Sequence, residues 1–116
     1  MYYEIRKVSG ERVCRARLAD TFVSRAIGLM FRADLPEGEG LLIKLPDYAK
    51  RGTIHSFFMR FPIDLFFIGA ELQVLESTTL KPWRWYTPHN PCDYVLEVRA
   101  GSVNLRPGDR VELVPL

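Results

Sequence analysis

The sequence predicts a mainly β fold, an antiparallel sandwich or flattened barrel carrying one α-helix, in a single domain over residues 1–116. Three observations predict it. The 116 residues suit one domain and are too few for a dinucleotide-binding pair or an eightfold α/β barrel. The prolines and glycines, eight of each, fall mostly between apolar runs and cut the chain into pieces of strand length. Only one stretch repeats its apolar residues at helical spacing.

Residues 2–8 form the first strand, and Ser9-Gly10-Glu11 is the turn that returns it. Over residues 13–19, Cys14, Ala16 and Leu18 alternate with Arg15 and Arg17, which marks a strand with one buried face. Asp20-Thr21 offers an N-cap for a helix over residues 22–30, in which Phe22, Ala26, Leu29 and Met30 share a face while Ser24 and Arg25 point away. Gly28 inside such a helix costs about 1 kcal/mol relative to alanine, so a neighbouring backbone or a ligand is expected to approach closely there. Beyond a turn at 35–40, strands are expected at 41–45, 53–59, 63–68, 72–79, 94–98 and 110–114. Gly69-Ala70-Glu71 connects two of these tightly, and Arg106-Pro107-Gly108-Asp109 turns the chain into the last. Residues 81–92 form the one long irregular segment, crowded with Trp83, Trp85, Tyr86 and His89, and long loops often carry function.

Composition narrows the function classes. With 47% apolar and 26% charged residues, the chain has the make-up of a globular domain, which excludes disorder and coiled coil. A net charge of +2 lacks the basic footprint of nucleic-acid binding, so no nucleic-acid partner is expected. No apolar stretch of signal-peptide length follows the N-terminal charges, and the apolar run at 63–68 is interrupted by Asp64 and too short to span a bilayer. A cytoplasmic protein without a membrane partner, monomeric or homodimeric, is the expectation. Cys14 and Cys92 are then expected as free thiols.

The densest chemistry lies in residues 53–68, where His55, Arg60 and Asp64 sit among aromatic and aliphatic side chains. A polar group in such surroundings needs a partner, because burying it unpaired costs roughly 2 kcal/mol or more. In one reading His55 is a general base oriented by Asp64, with Arg60 holding an anion. In the other, Asp64 caps a turn after Pro62 and a backbone group satisfies His55. Arg25 and Arg32 form a fork for a carboxylate or phosphate if they share a rim, and otherwise line a solvated helix face. His89-Asn90-Pro91-Cys92 has the spacing of one metal-ligand pair, but a four-ligand site would need Cys14 and His55 to converge on it, and neither metal nor cofactor is expected. Trp83 and Trp85 fall on one side of an extended segment with Arg84 opposite, suited to stacking on a ligand or to packing over an open end of the fold.

Ala19-Asp20-Thr21 with Arg25, Gly28-Leu29-Met30-Phe31-Arg32, Leu35-Pro36 with Gly40-Leu41-Leu42, His55-Ser56-Phe57-Phe58-Met59 and Pro62-Ile63-Asp64-Leu65-Phe66-Phe67-Ile68 together resemble the domain-of-unknown-function 192 family. Tyr94-Val95-Leu96-Glu97-Val98, Ala100-Gly101 and Pro107-Gly108-Asp109-Arg110-Val111 continue the likeness in order and spacing, so that it covers residues 13–113. Two positions depart from the family pattern: Phe58 stands where tryptophan is usual, and Ser102-Val103-Asn104-Leu105-Arg106 replaces a longer, more helical connection. The resemblance implies a jelly-roll-like β-sandwich with a helix and implies no activity.

The function these residues suggest is a small cytoplasmic binding domain for a small polar or anionic ligand, its pocket lined by Arg25, Arg32, His55, Arg60 and Asp64 and bordered by Trp83 and Trp85. One alternative is a small hydrolase or isomerase with His55 and Asp64 as catalytic candidates, which requires the two within hydrogen-bond reach beside a cleft. A second is a protein-interaction module acting through the loop at 83–86.

Overall fold

The computed structural model describes residues 1–30 and 32–116 and is built on one curled sheet of seven strands. The strands are β1 (Tyr2–Lys7), β2 (Arg12–Ala19), β3 (Glu39–Lys44), β5 (Ile63–Ile68), β6 (Val74–Leu80), β8 (Tyr94–Arg99) and β9 (Val111–Pro115). Between them lie a short ribbon of β4 (Ile54–His55) and β7 (Trp85–Tyr86), a helix α1 (Phe22–Ile27) and a 3-10 turn at Asp47–Ala49. The sheet order is β6-β5-β8-β3-β2-β1-β9. Every named pair is antiparallel except β2 with β3, which are parallel and joined by the crossover that contains α1. At one corner the outermost strands meet: Gln73 bridges Arg110, the Val74 N–H donates to the Asp109 carbonyl at 2.8 Å, and the Val111 N–H donates to the Leu72 carbonyl at 2.9 Å. The sheet is therefore a half-barrel whose open side narrows at that end.

Because side chains alternate across a strand, this sheet buries apolar groups on both faces. Leu42, Phe66, Ile68, Leu96 and Val98 fill the concave interior with Ile5, Cys14, Ala16, Val74 and Val111. Their neighbours in sequence, Leu41, Ile43, Ile63, Leu65, Phe67 and Val95, point to the other face, where Leu29, Leu35, Ile54, Met59 and Phe61 cover them. Two-sided burial explains the unbroken apolar runs at 41–43 and 65–68. Gly40 lies where a Cβ would stand 3.1 Å from the Glu97 carbonyl and from Val98, so β3 and β8 can approach only with glycine there.

Several boundaries differ from the sequence reading for local reasons. The helix ends at Ile27, not at residue 30, because Gly28 takes φ +51° as its C-cap. Its start agrees: Thr21 accepts from the Ser24 N–H at 3.1 Å and Ser24 Oγ returns a contact to the Thr21 N–H at 3.0 Å, a capping box. The side chains of Phe22 and Ala26, and Phe31 as a whole, lie outside the described residues. The strand expected at 53–59 is only β4, because Ser56 turns the chain: its carbonyl accepts from Met59, and Phe58 stands at φ 62°. The segment expected to be irregular at 81–92 contains β7, which pairs Ile54 with Tyr86 and His55 with Trp85. Among the described residues no helix is long and apolar enough to cross a membrane.

Candidate ligand-binding site

Strand β8 runs through the middle of the sheet, and Glu97 sits on it between Leu41 of β3 and Leu65 of β5. Alternation places Glu97 on the same face as Val95, under α1 and β4, with Leu96 and Val98 on the opposite face. Only 3% of its surface is exposed. Among the described residues it has neither a hydrogen-bond nor an ion-pair partner, and burial raises its carboxyl from 4.5 to about 8.

Glu97 faces a recess of about 50 Å³ that is also lined by Arg25, Gly28, Met30, His55 and Met59. That volume admits a group the size of a carboxylate or a few waters. A Cβ on Gly28 would stand 3.8 Å from Glu97 Oε1, so this glycine forms part of the wall. A wider bowl of about 360 Å³ adjoins the recess and shares Arg25, Ile43, Thr53, Ile54 and His55 with it. The bowl's remaining lining, Leu45, Pro46, Tyr48, Ala49 and Gly52, is mostly apolar. A small chamber of mixed lining, in which a few polar groups stand among apolar ones, beside an apolar bowl is the usual layout of a small-molecule site.

Two side chains supply hydrogen-bond donors at the junction. Arg25 donates one N–H to the Asp20 carbonyl at 2.7 Å, which anchors the guanidinium beside α1 and leaves its other N–H groups available. His55 Nδ1 accepts from the Phe57 backbone N–H at 3.1 Å, so the neutral ring carries its proton on Nε2 and presents a donor there. The ring also stacks on Phe57, with centroids 4.9 Å apart.

The structure brings Arg25 and His55 together and separates the other residues singled out in the sequence. Asp64 does not meet His55. Its carboxylate accepts from the Thr79 hydroxyl and, at 2.9 Å, from the Gly101 N–H, which ties β5 to β6 and to the turn after β8. It lines a separate hollow with Phe66, Thr78 and Leu105. Arg32 lies in another hollow with Tyr2, Arg17 and Glu39, so Arg25 and Arg32 make no fork. Arg60 is exposed and lines neither the recess nor the bowl. Cys14 and Cys92 are free, buried thiols in different core clusters, and burial pushes them up to about 12 and about 11. His89 is held elsewhere, its backbone N–H donating to Glu76 at 2.9 Å.

Trp83 and Trp85 are exposed, at 53% and 65%, and both approach Phe57, with ring centroids 6.1 and 6.2 Å away. Buried Ser56 holds this aromatic group in place. Its hydroxyl donates to the Lys81 carbonyl and accepts from the Arg84 N–H at 2.9 Å, while its backbone N–H donates to the Arg84 carbonyl at 2.8 Å. Among the described residues the aromatic group adjoins the recess through His55, which stacks on Phe57.

Glu97 escaped the sequence reading, although a signal was present. A lone acid between Leu96 and Val98, in a strand with apolar residues on both faces, has no solvated side to turn to.

The family model for DUF192, described as an uncharacterized ACR, matches residues 4–113. A UPF0127 protein of Pyrococcus abyssi is 39% identical over 107 residues, covering 86% of each chain. Another, from Pyrococcus furiosus, is 35% identical over 99 residues, covering 83% of this chain and 84% of the relative. The solved structure of a protein of unknown function from Novosphingobium aromaticivorans superposes with a TM-score of 0.80 at 28% identity, covering 97% of this chain and 84% of that one. The overall fold is thus shared with a solved structure, and the chain belongs to the DUF192 family.

Proposed function

We propose that this protein is a binding domain for a small polar or anionic ligand, seated in the cleft that Glu97 floors and Arg25 and His55 border. The observation that carries the reading is Glu97: a carboxyl buried without a partner, facing a cavity that a ligand's head group would fill. A fold keeps so costly a group where it does something besides packing. The catalytic pairing of His55 with Asp64 has no geometric support, since Asp64 is engaged by Thr79 and Gly101.

A thermal-shift screen against metals, nucleotides, sugars and small organic acids tests the reading. A ligand at a hundred times its Kd stabilises the fold by about 2.7 kcal/mol, roughly 10 °C for a domain of this size. The expected result is such a shift, abolished by Arg25→Ala or His55→Ala. A shift that survives both variants, or a flat screen, overturns it.

The exposure of Trp83 and Trp85 supports a second and separate reading, an interaction surface at the loop that carries them. It predicts that self-association of the parent in sedimentation is lost in the Trp83→Ala, Trp85→Ala double variant. Unchanged sedimentation would count against it.

A further inference from the structure

The ligand's head group follows from which hydrogen-bonding atoms the recess offers. Arg25 is a donor by chemistry, and its contact with the Asp20 carbonyl leaves several N–H groups free. His55 is a donor at Nε2, because Nδ1 is occupied as an acceptor by the Phe57 N–H. Glu97 completes the lining from the floor. Beside it on the sheet, β3 and β5 present Leu41 and Leu65, and among the described residues the charged or titratable groups that line the recess with it are Arg25 from α1 and His55 from β4. A protonated carboxyl in that position is a third donor. The complementary head group accepts three hydrogen bonds and is small enough for about 50 Å³, while the tail meets the apolar bowl of Ile43, Leu45, Pro46, Ala49 and Ile54.

We propose that the recess takes the carboxylate of a small monocarboxylic acid with a short apolar tail, held by the Arg25 guanidinium, the His55 Nε2–H and the Glu97 O–H. The inference rests on the cleft being a ligand site, and it adds the ligand class and a linkage to one proton. That proton stays on Glu97 in the complex, and the O–H donates a charge-assisted hydrogen bond to the ligand carboxylate. Burial keeps Glu97 protonated near neutral pH, since its carboxyl is raised to about 8. Binding therefore weakens as pH rises past that value, because ionised Glu97 would face a second carboxylate.

Calorimetric titration of the full chain with hexanoate, hexylamine and inorganic phosphate, between pH 7 and 9.5, tests this. Hexanoate is expected to bind most tightly, with an affinity that falls toward tenfold per pH unit above about pH 8. Glu97→Gln carries an amide that still donates and does not ionise, so its hexanoate affinity should not decline between pH 7 and 9.5. Arg25→Met should weaken hexanoate at least tenfold, and with the parent's pH profile it carries the test should Glu97→Gln fail to fold. If hexylamine binds and hexanoate does not, the cleft remains a ligand site but its floor acts as a carboxylate counter-ion, and the acid proposal fails alone. Phosphate binding more tightly than hexanoate also overturns it. No binding by any of the three overturns the acid proposal, and the broad screen then decides separately whether the cleft is a ligand site.

Discussion

A buried carboxyl without a partner has a thermodynamic signature that does not depend on knowing the ligand. In the folded chain Glu97 is raised from 4.5 to about 8 by desolvation, whereas in the unfolded chain it titrates at its ordinary value. Below about pH 4.5 both states are protonated and Glu97 contributes no pH dependence. Between 4.5 and about 8 the folded state holds a proton that the unfolded state has released, so its stability falls as pH rises, by about 1.4 kcal/mol per pH unit. Above about 8 both states are ionised, and the accumulated loss, on the order of 5 kcal/mol, remains. Glu97→Gln stays neutral throughout. The parent-minus-variant difference in Tm should thus drift by roughly 15 °C in the variant's favour from pH 5 to pH 9, at about 4 °C per kcal/mol for a domain this size. Thermal melts of both proteins, followed by tryptophan fluorescence at matched ionic strength, measure that drift, and other titrating groups cancel in the difference. Parallel Tm curves across the window would refute the reasoning, because they would mean that Glu97 is hydrated or paired.

Other perturbations test the scaffold around the cleft. Ser56→Ala removes the hydroxyl that joins Lys81 and Arg84 to β4, and should cost about 1 to 3 kcal/mol in urea denaturation and change the Trp83 and Trp85 emission; unchanged emission would contradict that role. Gly28→Ala should cost about 1 to 3 kcal/mol by backbone strain at φ +51°, whereas a gain of about 1 kcal/mol, as at a helix-interior glycine, would contradict the C-cap assignment. Asp64→Ala should lower stability by about 1 to 2 kcal/mol and leave binding in the cleft unchanged. Lost binding at unchanged stability would instead place Asp64 in the site.

The parts of the fold set by local pattern were readable in the chain. The strand at 63–68 agrees residue for residue with β5, because Pro62 and Gly69 bound it. The Asp20-Thr21 start of α1 was readable from its cap. What was not readable depends on contacts distant in sequence. The parallel pairing of β2 with β3, the folding of both faces into cores and the meeting of β6 with β9 are set by the curl of the whole sheet. The same holds for the site. Arg25 and His55 were singled out by type and converge, while Asp64, in the same polar trio, is drawn away by Thr79 and Gly101, residues 15 and 37 positions further along the chain. Glu97 was passed over because a glutamate in a strand reads as solvent-facing until both faces of that strand are known to be buried.

The most direct test of the central claim is an amide ¹H–¹⁵N map of the protein titrated with hexanoate at pH 7. The account predicts saturable shifts concentrated at Arg25, Gly28, Ile43, Thr53, His55 and Glu97, the residues that line the recess and bowl. Shifts centred on Trp83, Trp85 and Phe57, or an unchanged spectrum, would contradict it.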